Sequence, residues 1–206
     1  VSNNQNPKSN NPDGGAQTGD GGFQAGGSAD KFENGGRTDV DADTQAEGKV
    51  GTHFDAVRRS ISEAISESGM EKYIDIEEDP HWLSININSG MLFAKDSASV
   101  LAASRPVIAR IAVALSNINN YIRVRGYTDN TFIPNGIFRN SWDLSANRSV
   151  SVLEELEKAG IEPERMAVEA FGQFSNKYSN KTAAGRALNR KVVIAISRYA
   201  MERKPE

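Results

Sequence analysis

The chain has 206 residues and a formal net charge of −3, with 24 Lys and Arg against 27 Asp and Glu. That balance lacks the basic excess that nucleic-acid binding requires. There is no Cys, which excludes disulfides, thiolate nucleophiles and Cys-based zinc sites together, and no run is long and apolar enough to span a bilayer.

Residues 1–50 are rich in Gly, Asn, Asp and Ser, and their only large aromatics are the isolated Phe23 and Phe32. Such a segment buries too little surface to offset the entropy of ordering, and it is expected to be a flexible linker. As a coil its ends would lie roughly 40 Å apart, and fully stretched it would reach on the order of 170 Å. The chain opens on Val1 rather than Met, so a membrane or targeting segment is expected upstream.

Structure is expected to begin near Thr52, a helix cap with Asp55 three residues on. Phe54, Val57, Ile61 and Ile65 follow at helical spacing, and Gly69 is a natural stop. YIDI (73–76) and WLSININ (82–88) alternate around the turn EEDP, which predicts a β-hairpin with Leu83, Ile85 and Ile87 on its inner face. Ile108, Ile111, Leu115 and Ile118 mark a second helix, with Pro106 in its first turn. YIRVRGY (121–127) alternates as a strand, and 141–159 is helical up to Gly160. MAVEAFG (166–172) reads as a strand, a polar loop follows, and RKVVIAIS (190–197) is the last strand. The tail from Arg198 reads as either a short helix or a frayed end.

From residue 81 the order is β-α-β-α-β-loop-β. Strands that alternate with helices and end in two strands without one predict an α+β fold, an α/β sandwich whose mixed sheet carries its helices on one face. The chain divides into a linker (1–50), an added helix with the first hairpin strand (51–80), and a main domain (81–206).

The candidate chemistry lies in the stretch between two of these elements. Asp129 follows the end of the strand 121–127, and Arg148 sits about two turns into the next helix. Both elements lead out of one loop, so the pair could hold a zwitterion, its ammonium on Asp129 and its carboxylate on the fork of Arg148. Two plainer arrangements fit the same spacing: Asp129 capping a turn with Arg148 on the surface, or the two paired with each other. His53 and His81 lack metal-ligand spacing, and there is no G-x-S-x-G, Walker loop or H-E-x-x-H.

Three ordered motifs carry a family resemblance: G-Y-T-D (126–129), L-S-A-N-R-S-V-S-V (144–152) and G-R-A-L-N-R-K-V (185–192). They resemble the G-H-T-D, N-x-x-L-S-x-x-R-A and G-R-x-x-N-R-R-V of OmpA C-terminal-like peptidoglycan-binding domains, over roughly residues 85–197. W-D-L-S (142–145) and the long loop before it are similar to flagellar motor stator subunits of the MotB/PomB family. The resemblance implies that Asp129 and Arg148 grip the diaminopimelate of a peptidoglycan stem peptide. Thr128 and Leu144 would line the groove, and Arg186 and Asn189 would act secondarily, as groove wall. Tyr127 stands where the family has His, Ser149 where it has Ala, and Ser141, beside Asn140, where it has Asn.

On this resemblance the chain would be the periplasmic region of a single-pass inner-membrane protein. It would be a homodimeric, non-enzymatic anchor without cofactor or metal, joined upstream to a MotA/PomA-type subunit. An outer-membrane or lipoprotein anchor of the OmpA/Pal type shares the motifs. A cell-wall hydrolase would need Asp129 or Asp143 with a second carboxylate, and no paired-carboxylate motif supplies one.

Overall fold

The apolar repeat that opens the folded region forms a helix because its large side chains fall on one stripe. The computed structural model describes residues 41–200. In it α1 (Asp41–Ser68) buries Phe54, Val57, Ile61 and Ile65. The helix starts at Asp41 rather than near Thr52, so residues 41–50 are helical where linker is expected. Ala, Gln and Glu there favour a helix once its later turns are anchored. The rest of the expected linker, and residues 201–206 of the tail, lie outside the described residues. Gly69 ends α1 with φ +66, a left-handed conformation that costs glycine nothing.

The hairpin forms as expected from β1 (Ile74–Glu78) and β2 (Trp82–Asn88), with Ile74 opposite Ile87 and Ile76 opposite Ile85. Its turn is held by Asp79 Oδ1, which accepts from the backbone N–H groups of His81 and Trp82 at 2.7 and 2.9 Å. A single turn, α2 (Ser89–Leu92), leaves β2, and α3 (Arg105–Ser116) buries Val107, Ile108, Ile111 and Leu115. Next come β3 (Asn120–Tyr127) and α4 (Ser141–Lys158). Asn140 caps α4 by accepting from the Asp143 N–H at 2.8 Å. β4 (Met166–Gly172) follows.

The stretch expected to be only a loop contains a short helix, α5 (Ala183–Asn189), capped by Thr182. β5 (Lys191–Ala200) runs past residue 197, so the first tail residues are strand rather than helix or frayed end. Arg198 fixes this: its N–H donates to His81 O at 2.9 Å, Nε donates to Asp79 O at 3.1 Å, and the guanidinium pairs with Glu78.

The sheet order is β1-β2-β5-β3-β4, with β3 and β4 parallel and every other pair antiparallel. This is the mixed α+β sheet that the pattern predicts. One face presents Leu83, Ile85, Ile87, Ile122, Val124, Ile194 and Ile196, all fully buried in a single core with α1, α3 and α4. The opposite face is polar at its margins. There the Arg125 guanidinium lies 4.5 Å from the centre of the Trp82 ring, and its Nε bonds Glu169 at 2.7 Å. Such long side chains lay apolar stems along the sheet, and Val193, Ala195 and Ser197 between them are buried.

Candidate functional site

A cleft of about 620 Å³ opens at the end of the sheet where β3 runs out and β5 begins, and Asp129, Arg148, Thr128, Leu144 and Arg190 line it together with residues of α2 and the segment after it. Its depth follows from a close approach of backbones. Gly126, near the end of β3, lies so tightly against α4 that a side chain there would meet the Ser145 carbonyl. At Gly172, φ +54, a side chain would meet Ser141 and Trp142. Gly172 takes the Thr128 N–H on its carbonyl at 2.8 Å and donates to Ser145 Oγ at 3.1 Å. These contacts pin the exit of β3 to the first turns of α4, and so bring Asp129 and Arg148 to one cleft.

Asp129 is 3% exposed. Its Oδ1 accepts from the Thr131 N–H at 2.9 Å and the Thr131 hydroxyl at 2.7 Å. Its Oδ2 pairs with Arg190. Burial pushes the carboxyl up, but the Thr131 donors and Arg190 together outweigh it and hold the group below the usual carboxylate range. Arg148 is 7% exposed. Its Nε donates to Ser97 O at 2.9 Å, and its guanidinium lies 5.0 Å from the centre of the Phe93 ring. Burial pushes it down to about 10, opposed by the charge of Asp96 and, less strongly, of Asp129. It stays cationic at neutral pH, with no carboxylate in hydrogen-bonding contact among the described residues.

The expected acid and guanidinium therefore share one cleft without pairing with each other. Asp129 does bond a turn, through Thr131, but Arg148 is buried rather than a surface charge. Thr128 and Leu144 line the same cleft and are almost wholly buried. Arg186 and Asn189 do not line it. Arg186 donates to Asn180 O at 2.9 Å, and Asn189 holds both the N–H and the carbonyl of Tyr178. They brace the segment that leads into β5, because their side chains face that segment and not the cleft.

The residue that sequence reasoning passes over is Arg190. It follows Asn189 in the last motif, and its parity on β5 carried the signal. Lys191 pairs in register with Asn88, and the Arg190 carbonyl accepts the Ser89 N–H at 2.9 Å, so the preceding side chain falls on the cleft side.

Residues 92–190, a little under half of the chain, match the model of the OmpA family. Motility protein B of Bacillus subtilis is 27% identical over 142 residues, covering 68% of this chain and 54% of that protein, so the chain spans about half the length of this relative. The periplasmic domain of Helicobacter pylori MotB aligns with a TM-score of 0.56 at 25% identity, over 60% of this chain and 78% of that one. The cell wall anchor of the T6SS from Pseudomonas aeruginosa aligns with a TM-score of 0.62 at 27% identity, over 66% of this chain and 96% of that one.

Proposed function

We propose that this domain is a non-enzymatic anchor that grips peptidoglycan through the Asp129–Arg148 cleft, and that in the whole protein it holds an ion-driven flagellar stator to the cell wall. One observation carries this reading: a buried carboxylate and a buried guanidinium line one cleft, each held by groups other than the other. That arrangement suits a ligand with an ammonium and a carboxylate of its own, as the diaminopimelate of a stem peptide has. Arg148 would take the carboxylate and Asp129 the ammonium, with Thr128 and Leu144 as walls. The ammonium would replace Arg190 on Oδ2. Arg186 and Asn189 would act from behind the wall, by holding the segment that delivers Arg190.

The likeness to a motility protein and to a cell wall anchor supports the wall as the partner. The charge state of the acids supports a binding role. Asp129 and Asp143 both lie below the usual carboxylate range, Asp143 chiefly through its hydrogen bond with Arg139, so neither holds a proton for general-acid cleavage at neutral pH. No helix among the described residues is long and apolar enough to cross a membrane. The reading places that span upstream, where it would join a MotA/PomA-type subunit and leave this domain in the periplasm. Two such domains in a homodimer would gain from effective concentration at the wall.

The test is a pull-down on purified insoluble peptidoglycan, with Asp129→Ala and Arg148→Ala beside the unaltered chain. Binding by the unaltered chain and loss in both folded variants is the expected result. Equal binding by all three would remove the cleft from the mechanism.

A further inference from the structure

The loop that joins β3 to α4 contains the step Asn135–Gly136, and both residues are exposed. The turn around them is fixed on one side and open on the other. Asn135 Oδ1 accepts from the backbone N–H groups of Ile137 and Phe138, both at 2.8 Å. The Asn135 N–H donates to the Phe138 carbonyl at 3.0 Å, and the buried Phe138 side chain anchors the turn. The Gly136 N–H, by contrast, has no hydrogen-bond partner among the described residues. Nothing lies within 4 Å of where a Gly136 side chain would stand.

These features suit one reaction. The backbone nitrogen after an Asn is a nucleophile within reach of its side-chain amide, and glycine alone leaves that nitrogen unshielded and its backbone free to turn. As the nitrogen attacks Cγ, negative charge gathers on Oδ1. Two fixed N–H donors already face that oxygen, the arrangement that stabilises a tetrahedral intermediate.

We propose that Asn135 is a site of self-modification, at which the folded loop turns an amide into a carboxylate. The Gly136 nitrogen gives its proton to hydroxide and forms a bond to Asn135 Cγ. The Cγ–Nδ2 bond breaks, and Nδ2 leaves as ammonia with a proton from water, which leaves an imide ring. Water then opens the ring at either carbonyl, and nothing is oxidised or reduced. One opening gives aspartate, whose carboxylate keeps the Ile137 and Phe138 donors. The other gives isoaspartate, in which the main chain runs through Cβ and the Asn135–Phe138 turn is lost. The loop runs from Thr131, which braces Asp129, to Asn140, which caps α4. Isoaspartate therefore loosens the segment between the cleft and its helix, whatever the cleft binds.

The test is incubation of the full chain at mildly alkaline pH beside a synthetic peptide of residues 126–139, the fragment that trypsin releases by cutting after Arg125 and Arg139. Tandem mass spectrometry places the converted residue, and isoaspartate separates as its own chromatographic peak. Conversion at Asn135 about tenfold or more faster in the folded chain than in the peptide is expected, with that advantage lost in urea. Gly136→Ala should slow conversion about tenfold or more, because its methyl group stands beside the attacking nitrogen yet meets no neighbour in the fold. Asn130, in the same fragment, precedes the β-branched Thr131 and should stay an amide. A rate in the folded chain no higher than in the peptide, an advantage that survives urea, or undiminished conversion in Gly136→Ala would overturn the inference.

Discussion

Asp129 and Arg148 are both buried, yet their surroundings treat them oppositely. Asp129 is over-supplied with donors, and its folded-state pKa is depressed. Its contribution to stability is therefore complete above the ordinary carboxylate pKa and is lost as pH falls through the depressed value. Arg190→Ala should move the Asp129 titration upward, because burial then faces only Thr131; carboxyl NMR would read the shift, and an unmoved titration would show that the pair is idle. Arg148 is under-supplied, and its pKa of about 10 means that the fold disfavours its charge. Arg148→Met should leave the thermal midpoint unchanged or raise it while abolishing retention on peptidoglycan. A large fall in midpoint would instead make Arg148 a structural residue. Ser149 is simpler: its Oγ is buried without a hydrogen-bond partner among the described residues, so Ser149→Ala should stabilise the fold by about 1 kcal/mol in chemical denaturation. At this scale the sequence disclosed the acid and the guanidinium, because their motifs surround them. It did not disclose Arg190 as the partner of Asp129, since that contact joins residues 61 apart in the chain and only the sheet register brings them together.

At the scale of elements, periodicity revealed every long element and missed the short ones. α1, α3 and α4 carry apolar stripes, and the five strands alternate or run apolar. α2 and α5 are too short for a repeat to show. The early start of α1 was hidden for another reason, since residues 41–50 carry no apolar repeat in the sequence. α1 nonetheless belongs to the core: Ile61 is fully buried, so Ile61→Ala should cost about 2–5 kcal/mol in chemical denaturation. The exposed Arg110–Glu67 pair, 2.6 Å apart, should contribute almost nothing measurable, and Glu67→Ala is the control. Gly126→Ala tests the junction of β3 with α4. Its side chain would press on the Ser145 backbone of α4 as well as on the Ser149 hydroxyl, and since the backbone cannot turn aside the two elements must part, and the variant should lose cleft binding together with stability. Retained binding at full stability would show that the approach can relax.

For the whole molecule, the decisive feature is where the last strand lies. β5 ends the described chain, yet it sits between β2 and β3 in the sheet. A chain cut after Arg190 therefore lacks a central strand and should show no cooperative unfolding transition. One cut after Ala200 should melt normally. A sigmoidal melt from the shorter chain would contradict this. Among the described strands, β1–β2 on one side and β3–β4 on the other have no shared sheet partner until β5 is in place, and contacts of such long sequence separation form slowly. A polypeptide emerging N-terminus first therefore leaves its sheet unclosed until β5 has followed. The strand that completes the sheet also delivers Arg190 to Asp129, so the sheet and this buried pair form in the same event.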